Sequence, residues 1–307
     1  MHAWEAVQKT LGHIEEHIRE EIAIEELADI AALSLFYYQR LFARLVKKPV
    51  REYIKLRRLA RACGTLRSKE NRIIDVAMEY GFKSHETFTR AFKDTYGLTP
   101  AQYRDNRISL SHFDKPDLLL SYLVIDEGVP LISDGIVLEM NRKTLVSPVD
   151  FLGVKGYMPF KSGKMLGERP GVDPADRIWM EFFRILPEIG CLPQGRHIGV
   201  CYHGDAQEGY TTYYVGAEVE RKAEDSLHTA WRLPAREYVI CGFEAENVQQ
   251  MSGSALGKAM RYTRLWLKNH GLIADGFFPE MYYPNKSGAA YMELWIPFRL
   301  RNDKKTD

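Results

Sequence analysis

An internal repeat restricts what this chain can fold into more than any other feature of its sequence. Residues 24–46 read IEELADIAALSLFYYQRLFARLV, and residues 73–96 read IIDVAMEYGFKSHETFTRAFKDTY. Ala28 aligns with Ala77, Ala32 with Gly81 and Leu33 with Phe82. The extra residue Lys83 then sets an offset of 50, pairing Ser34 with Ser84, Tyr38 with Phe88, Arg40 with Arg90 and Phe42 with Phe92. Each copy predicts a short helix, a tight turn at a small residue, a serine N-cap and a second helix. Between the copies, residues 49–68 (PVREYIKLRRLARACGTLRS) predict one helix of roughly 18 residues, about 27 Å long at 1.5 Å per residue. Residues 1–107 are therefore expected to form an all-α domain of two helix-turn-helix units.

The second helix of each copy has two faces. In the first copy Tyr38, Leu41, Phe42 and Leu45 form an apolar stripe, leaving Phe36, Tyr37, Gln39, Arg40 and Arg44 outward behind the cap Ser34. In the second, Phe88, Ala91 and Phe92 point inward and His85, Glu86, Thr87 and Arg90 outward behind Ser84. Such side chains suit the edges of bases in a major groove. Arg bonds guanine, Gln bonds adenine, an aromatic meets a thymine methyl and Glu accepts from cytosine. The connecting helix is close to the ~34 Å of one DNA turn, so a monomer would place two reading helices in successive major grooves of double-stranded DNA. Two unlike helices would read two unlike half-sites.

Charge supports this placement only after it is divided. The whole chain holds 42 Lys+Arg against 41 Asp+Glu, a net of +1. Residues 1–39 carry 2 basic and 8 acidic residues, whereas residues 40–107 carry 17 basic and 7 acidic, a net of +10. The remainder is slightly acidic, at −3. A near-neutral total with a basic block predicts modest, salt-dependent long-range attraction to DNA, with specificity resting on a few outward side chains. At 45% apolar and 27% charged, the composition excludes collagen-like, disordered and disulfide-scaffold classes. No window reaches the roughly 20 apolar residues of a bilayer span, and the charged start MHAWEAVQKTLGHIEEHIREE lacks a signal-peptide core. Cys63, Cys191, Cys201 and Cys241 show no CxxC pairing and read as reduced thiols of a cytoplasmic protein without a membrane partner.

Beyond the polar stretch at 107–116 the pattern changes from helical to β. The runs LLLSYLVI, FLGVKGYM, HIGVCYH, YTTYYVGAEV, REYVICGF and AYMELWIPF read as strands bounded by Gly, Pro, Asp or Asn. Two helices interrupt them: one with Asp173 as N-cap and Pro174 first, the other from about Ser254 to Asn269. Residues 111–303 thus predict an α+β domain of two β-helix-β-β passes with an antiparallel sheet. The first pass takes 151–157, 174–188, 197–203 and 210–219; the second takes 236–244, 254–269, 278–283 and 289–298. In the last strand Tyr291, Glu293 and Trp295 share one face, opposite Met292, Leu294 and Ile296. A carboxylate between aromatics, with Tyr157, Trp179, Tyr213, Tyr214 and Tyr282 as further lining, suits a flat cationic ligand. Spacing alone equally allows an exposed sheet face with Glu293 paired to a lysine. The last residues, NDKKTD, are expected to fray.

The tail of the helical domain carries a more specific pattern: Gly81-Phe82, Phe88-Thr89-Arg90-Ala91-Phe92, and Gly97 to Arg104 spaced Gly-x-x-Pro-x-x-x-Arg. Here the chain resembles the AraC/XylS family of bacterial transcription regulators, over about residues 6–107. The resemblance implies base contacts from Phe36, Gln39 and Arg40 in the first helix and from His85, Glu86, Thr87 and Arg90 in the second. Two departures stand out: Ala32 where the family often has Gly, and the acidic Glu86, which repels phosphate unless it reads cytosine. ELWIPF at 293–298, after a strand ending Tyr282-Tyr283-Pro284, resembles the GyrI-like effector-binding fold over residues 150–299. In that fold a Glu before the terminal Ile-Pro often sits deep in the ligand pocket, and Glu293 matches it. The combination resembles the Rob-like regulators and implies DNA and a small-molecule effector as partners; the alternative to a ligand pocket is a C-terminal domain that serves as a platform for RNA polymerase or another regulator. Residues 111–148 fall between the two resemblances and are expected to add strands that join the domains.

Two enzymatic alternatives belong beside this reading. Cys201 and His203 at i, i+2 on a strand suggest a nucleophile pair, but such neighbours are about 7 Å apart and no third group orients them. A DNA-tethered hydrolase with Glu293 as general base is the other. No His/Cys/carboxylate set has metal-ligand spacing, so neither metal nor cofactor is expected.

Overall fold

Both repeat copies close their turns alike. Leu33 N–H donates to Ala28 O (3.0 Å) and Phe82 N–H to Ala77 O (2.9 Å), with Ala32 (φ 53°) and Gly81 (φ 72°) in the left-handed region. Glycine reaches that region freely; alanine does so at about 1 kcal/mol. Ser34 Oγ then accepts from Tyr37 N–H (3.5 Å) and Ser84 Oγ from Thr87 N–H (3.2 Å), as the predicted caps require.

The computed structural model describes residues 3–106, 108–133, 135–159, 170–220, 228–247, 250–284 and 290–301. The helices of the first part are α1 (Ala3–Glu16), α2 (Ile24–Ile30), α3 (Leu35–Val46), α4 (Val50–Leu66), α5 (Ile73–Glu79), α6 (His85–Tyr96) and α7 (Pro100–Asn106). Helix α4 serves two cores. Its Val50, Tyr53, Ile54 and Leu56 pack with α1–α3, and its Leu59, Ala62, Cys63 and Leu66 pack with α5–α7.

Where one core gives way to the other, α4 carries a buried ion cluster. Arg57 donates to both oxygens of Glu15 (2.6 and 2.9 Å), and Arg61 (2.8 Å) and the Tyr53 hydroxyl (3.1 Å) join it. Burial alone would raise the Glu15 carboxyl, but the hydrogen bonds and charges of the two arginines outweigh it and hold the pKa down at about 2.

The chain then crosses back over these helices as β1 (Leu110–Ser111) and α8 (Leu119–Tyr122). Leu110 packs on the second core, and Phe113 and Leu118 enter the first. Phe113 O accepts from Arg57 Nη1 (2.7 Å). By its contacts, therefore, the first unit extends to Tyr122, later than the expected boundary at 107–116. One strand expected from sequence is absent: within LLLSYLVI, residues 119–122 are helical. Asp117 Oδ1 accepts from Leu120 N–H (3.2 Å) and caps the turn, while Leu118 and Leu120 are buried.

The second unit adds β2 (Leu131–Ser133), β3 (Ile136–Thr144) and β4 (Val149–Pro159). After β4 the chain returns to the first unit as β5 (Gly171–Val172), which pairs with β1. Next come α9 (Asp176–Ile185), β6 (His197–Tyr202), β7 (Tyr210–Val219), β8 (Thr229–Leu233) and β9 (Glu237–Ala245). A π-type turn at Met251–Ala255 leads into α10 (Leu256–Asn269), followed by β10 (Leu272–Ala274), β11 (Phe278–Tyr282) and β12 (Ala290–Leu300). The predicted cap of α9 is displaced: Asp173 N–H donates to Ser109 O (3.1 Å) beside β5, so the helix starts after Ala175 rather than at Pro174.

Among the described residues ten strands form one antiparallel sheet in the order β2-β3-β9-β12-β11-β6-β7-β4-β8, with β10 beside β12. Outward from the central β6–β11 pair, each half runs second, third and first strand of its pass (β6-β7-β4 and β11-β12-β9), which is the duplication read from sequence. Helix α9 covers β4 and β7 with Ile178 and Phe182, and α10 covers β9 with Tyr262, Thr263 and Trp266 among its buried residues. Residues 131–144 add β2 and β3 to the sheet at its β9 edge. Residues 302–307, expected to fray, lie outside the described set.

Candidate nucleic-acid interface and effector site

On α3, Tyr38 and Phe42 are fully buried, while Phe36 and Tyr37 are 61% and 64% exposed. Gln39, Arg40 and Arg44 are exposed on the same side. One turn separates Phe36 from Arg40, and the guanidinium carbon lies 5.3 Å from the Phe36 ring centroid, so the ring props the cation outward. The Phe36 and Tyr37 rings meet edge-to-face at 5.8 Å. Two large aromatics held in water beside an oriented arginine form a surface that folding alone does not call for.

Helix α6 presents less. Thr87 Oγ1 lies 2.8 Å from Ser84 Oγ and donates to Ser84 O (3.0 Å), so its hydroxyl is engaged in the cap. The Ser84 side chain and its own backbone N–H hold the exposed Glu86 carboxyl below the usual range. An ionised carboxylate in the first turn also suits the helix dipole. Glu86 thus has a local reason to be acidic that does not involve a base. His85 is half-buried, and Arg90 remains exposed in line with Arg40 of the first copy.

The sheet separates the aromatic residues expected to line one site. Register pairs Met281 with Glu293 and Glu280 with Leu294, so the carboxylates Glu293 and Glu280 lie on opposite faces. Around Glu293, Oε2 accepts from the Tyr283 hydroxyl (2.5 Å) and Trp295 Nε1 (2.8 Å), and Oε1 from the Tyr291 hydroxyl (2.7 Å). Burial and the carboxylate beside them push both tyrosine pKa values up, so their protons stay in place. Glu293 borders a cavity of about 320 Å³ whose lining includes Glu139, Asn141, Lys143, Gly242, Glu244 and Tyr291. Opposite Glu293 in register stands Gly242, and Glu139 follows on the next strand, so the floor between the two carboxylates has no side chain.

Glu280 was not singled out by sequence. It is 4% exposed and accepts from the Tyr213 (2.8 Å) and Tyr282 (2.9 Å) hydroxyls. Trp179 of α9 donates to the Tyr213 hydroxyl (3.3 Å), and its ring stands 4.9 Å from that of Tyr282. Below them Gly199 leaves the space: a Cβ there would lie 2.4 Å from the Tyr213 oxygen. The signal was present in FPEMYY, where Glu280 and Tyr282 alternate with Met281.

Of the eight residues expected at the ligand, Tyr291 and Trp295 therefore join Glu293, while Trp179, Tyr213 and Tyr282 join Glu280. Tyr214 is buried on the Glu293 face and donates to Thr229 O (3.1 Å). Tyr157 joins neither cluster: it is exposed, donates to Asp205 Oδ2 (3.1 Å), and its strand lies four strand spacings from β12, about 19 Å.

The geometry gives little to the enzymatic alternatives. Both Glu293 oxygens are engaged by protein donors, Tyr283, Trp295 and Tyr291. Strand β6 ends at Tyr202, leaving His203 exposed in the turn, while Cys201 Sγ lies 3.7 Å from Thr211 Oγ1. Burial pushes the Cys201 thiol up to about 11, keeping it protonated near neutral pH. Among the described residues no three His, Cys, Asp or Glu side chains gather around a metal-sized point, and no helix is long and apolar enough to cross a membrane.

Comparisons with known proteins also fall into two parts. A helix-turn-helix domain family matches residues 27–106, and a GyrI-like small molecule binding domain family matches residues 147–299. Regulatory protein SoxS of Escherichia coli K12 is 36% identical over 98 residues, 32% of this chain and 92% of SoxS. The uncharacterized HTH-type transcriptional regulator YbfP of Bacillus subtilis 168 is 43% identical over 104 residues, 34% of this chain but 35% of YbfP. Transcriptional regulator Rob of Salmonella typhimurium LT2 is 32% identical over 121 residues, 39% of this chain and 42% of Rob. The match therefore spans nearly all of SoxS but well under half of YbfP and Rob.

Proposed function

The chain belongs to the AraC-type helix-turn-helix transcription regulators, and from that membership we propose how its two units divide the work. The helical unit recognises duplex DNA as a monomer, with α3 as the principal reader and α6 as the weaker one. The asymmetry of their exposed faces carries this reading: α3 offers Phe36, Tyr37, Gln39, Arg40 and Arg44, whereas Thr87 and Glu86 of α6 serve their own helix cap. Arg90 and the cap at Ser84 leave α6 one base-reading cation and a set of backbone contacts. The protein acts in the cytoplasm, where its DNA is, and RNA polymerase is the partner through which transcription changes.

The sheet unit binds the effector, an organic cation whose positive group rests against Glu293 on the Gly242 floor, with Tyr291 beside it. A second seat at Glu280 has its own support, since three of the expected ligand aromatics surround that carboxylate.

The DNA reading is tested on a site selected from random duplexes with the full chain. Arg40→Ala is expected to cost about 1–3 kcal/mol on that site and less on unrelated duplex, as loss of a bidentate base contact requires. Fluorescence anisotropy at fixed salt measures both. Equal weakening on every sequence would mean that Arg40 meets phosphate, not a base.

A further inference from the structure

We infer that Arg58 and Arg19 set the spacing between the two half-sites that the protein accepts. This rests on the proposal that both α3 and α6 meet DNA.

The two helix-turn-helix cores do not merge. They share α4, whose contribution passes from one to the other between Leu56 and Leu59, and the returning segment, which leaves Leu110 on the second core and Phe113 in the first. One helix and one crossing segment set the distance between two separate cores but leave their rotation about the joint to be fixed by side chains. Two arginines close it. Arg58, at the joint itself, donates through Nε to Ile18 O (3.0 Å) and through Nη2 to Glu20 O (2.6 Å), gripping the chain just beyond α1 in the first helix-turn-helix. The same guanidinium lies under the turn of the second: a Cβ on Gly81 would stand 2.7 Å from Arg58 Nη1. Arg19 reaches the other way, pairing through Nε with Glu79 (3.1 Å) and donating through Nη2 to the Tyr80 hydroxyl (3.2 Å). Tyr80 in turn is 3.0 Å from Thr65 of α4.

The end of α1, the middle of α4 and the turn that aims α6 thus meet at one junction. Gly81 holds two roles there, since its left-handed φ closes the turn and its missing side chain admits the guanidinium. One cation bonds the first unit and fills the space under the second; the other projects from the first and bonds the second. Their joint effect is to hold α6 at one rotation and rise relative to α3. On DNA each added base pair moves a half-site by about 3.4 Å and turns it by roughly a tenth of a helical turn, so a fixed pair of helices tolerates one spacing.

The test measures full-chain affinity for the selected site and for versions with one base pair inserted or removed between the half-sites. Wild type is expected to lose at least about tenfold on either change, because α6 then forfeits its contacts. In Arg58→Ala and in Arg19→Ala the loss should shrink to about threefold or less, with Arg58→Lys between. Arg19 is largely exposed, so its variant keeps the fold should Arg58→Ala not. Spacing profiles of both variants that superimpose on wild type would overturn the inference, and so would a wild type indifferent to spacing. If Arg40→Ala also leaves site discrimination intact, the DNA reading itself fails; if Arg40→Ala acts as expected while the spacing profiles do not change, only the spacing role fails.

Discussion

Arg57→Met is expected to destabilise the helical unit by about 3–5 kcal/mol, the usual result of leaving a buried charge without its partner. Glu15 would keep Arg61, whose side chain is half in water, and the neutral Tyr53 hydroxyl, while its own side chain is only 9% exposed. The bond to Phe113 O, which ties the returning segment to α4, is lost in the same step. Exchanging both partners should behave differently. Arg57→Met combined with Glu15→Leu removes both charges and fills the space with apolar atoms, and should regain most of the loss, since such replacements are often neutral or stabilising. Urea unfolding of the full chain followed at the helical circular-dichroism band resolves the two cases. A double variant as weak as the single one would show that packing, not charge, holds the site. The pH dependence follows from the same pair. The Glu15 carboxyl ionises at about 2 when folded against 4.5 when free. Its contribution is complete above pH 4.5 and is lost as pH falls toward 2, because protons then favour the unfolded chain. Glu15→Gln should remove that part of the acid transition.

Much of this molecule was legible before its structure, for reasons visible in particular residues. The helix-turn-helix copies announced themselves because Ala28/Ala77, Ala32/Gly81 and Ser34/Ser84 are set by local turn and cap chemistry, which depends on sequence neighbours alone. The duplicated sheet was legible from strand and helix order. What failed was anything decided by distant partners. LLLSYLVI has the composition of a strand, yet it is apolar because Leu118 and Leu120 are buried against other elements, not because it pairs. Asp173-Pro174 has the form of a helix start, but the Asp173 N–H is taken by Ser109, more than sixty positions away in sequence. The ligand set shows the same limit. Alternation within β12 placed Tyr291, Glu293 and Trp295 correctly on one face, but the faces of β7 and β11 relative to β12 depend on inter-strand register. That register sent Tyr213 and Tyr282 to the other side, around Glu280.

Glu293→Gln should weaken an organic cation by about 2 kcal/mol or more, roughly thirtyfold, while a neutral ligand of the same shape changes little. Rhodamine 6G and a flat neutral xanthene dye of similar size form a suitable pair, and isothermal titration calorimetry of the full chain measures both. The choice of Glu293 over Glu280 turns on access. Glu293 already borders the 320 Å³ cavity, within the size range of drug-like sites. Glu280 lies beneath α9, and exposing it means withdrawing Ile178 and Phe182 from the core they share with Val215 and Leu152. At about 1.5–3 kcal/mol for each such side chain, lifting the helix costs about 3–6 kcal/mol, which would be subtracted from any affinity gained there. A ligand must therefore interact much more strongly with Glu280 than with Glu293 to prefer it. The paired variant Glu280→Gln decides between them. If Glu280→Gln abolishes cation binding while Glu293→Gln leaves it within about threefold, the effector works by displacing α9, and the open cavity is not its seat. If the cation-selective loss falls on Glu293→Gln, the phenols of Tyr283 and Tyr291 take on a defined role. In the empty site they donate to the carboxylate that the cation later pairs with, so that charge is never left without a partner in a half-buried position. Replacing both with phenylalanine should then lower the stability of the empty protein more than that of the liganded one, which a thermal shift with and without rhodamine 6G would register as a larger ligand-induced rise.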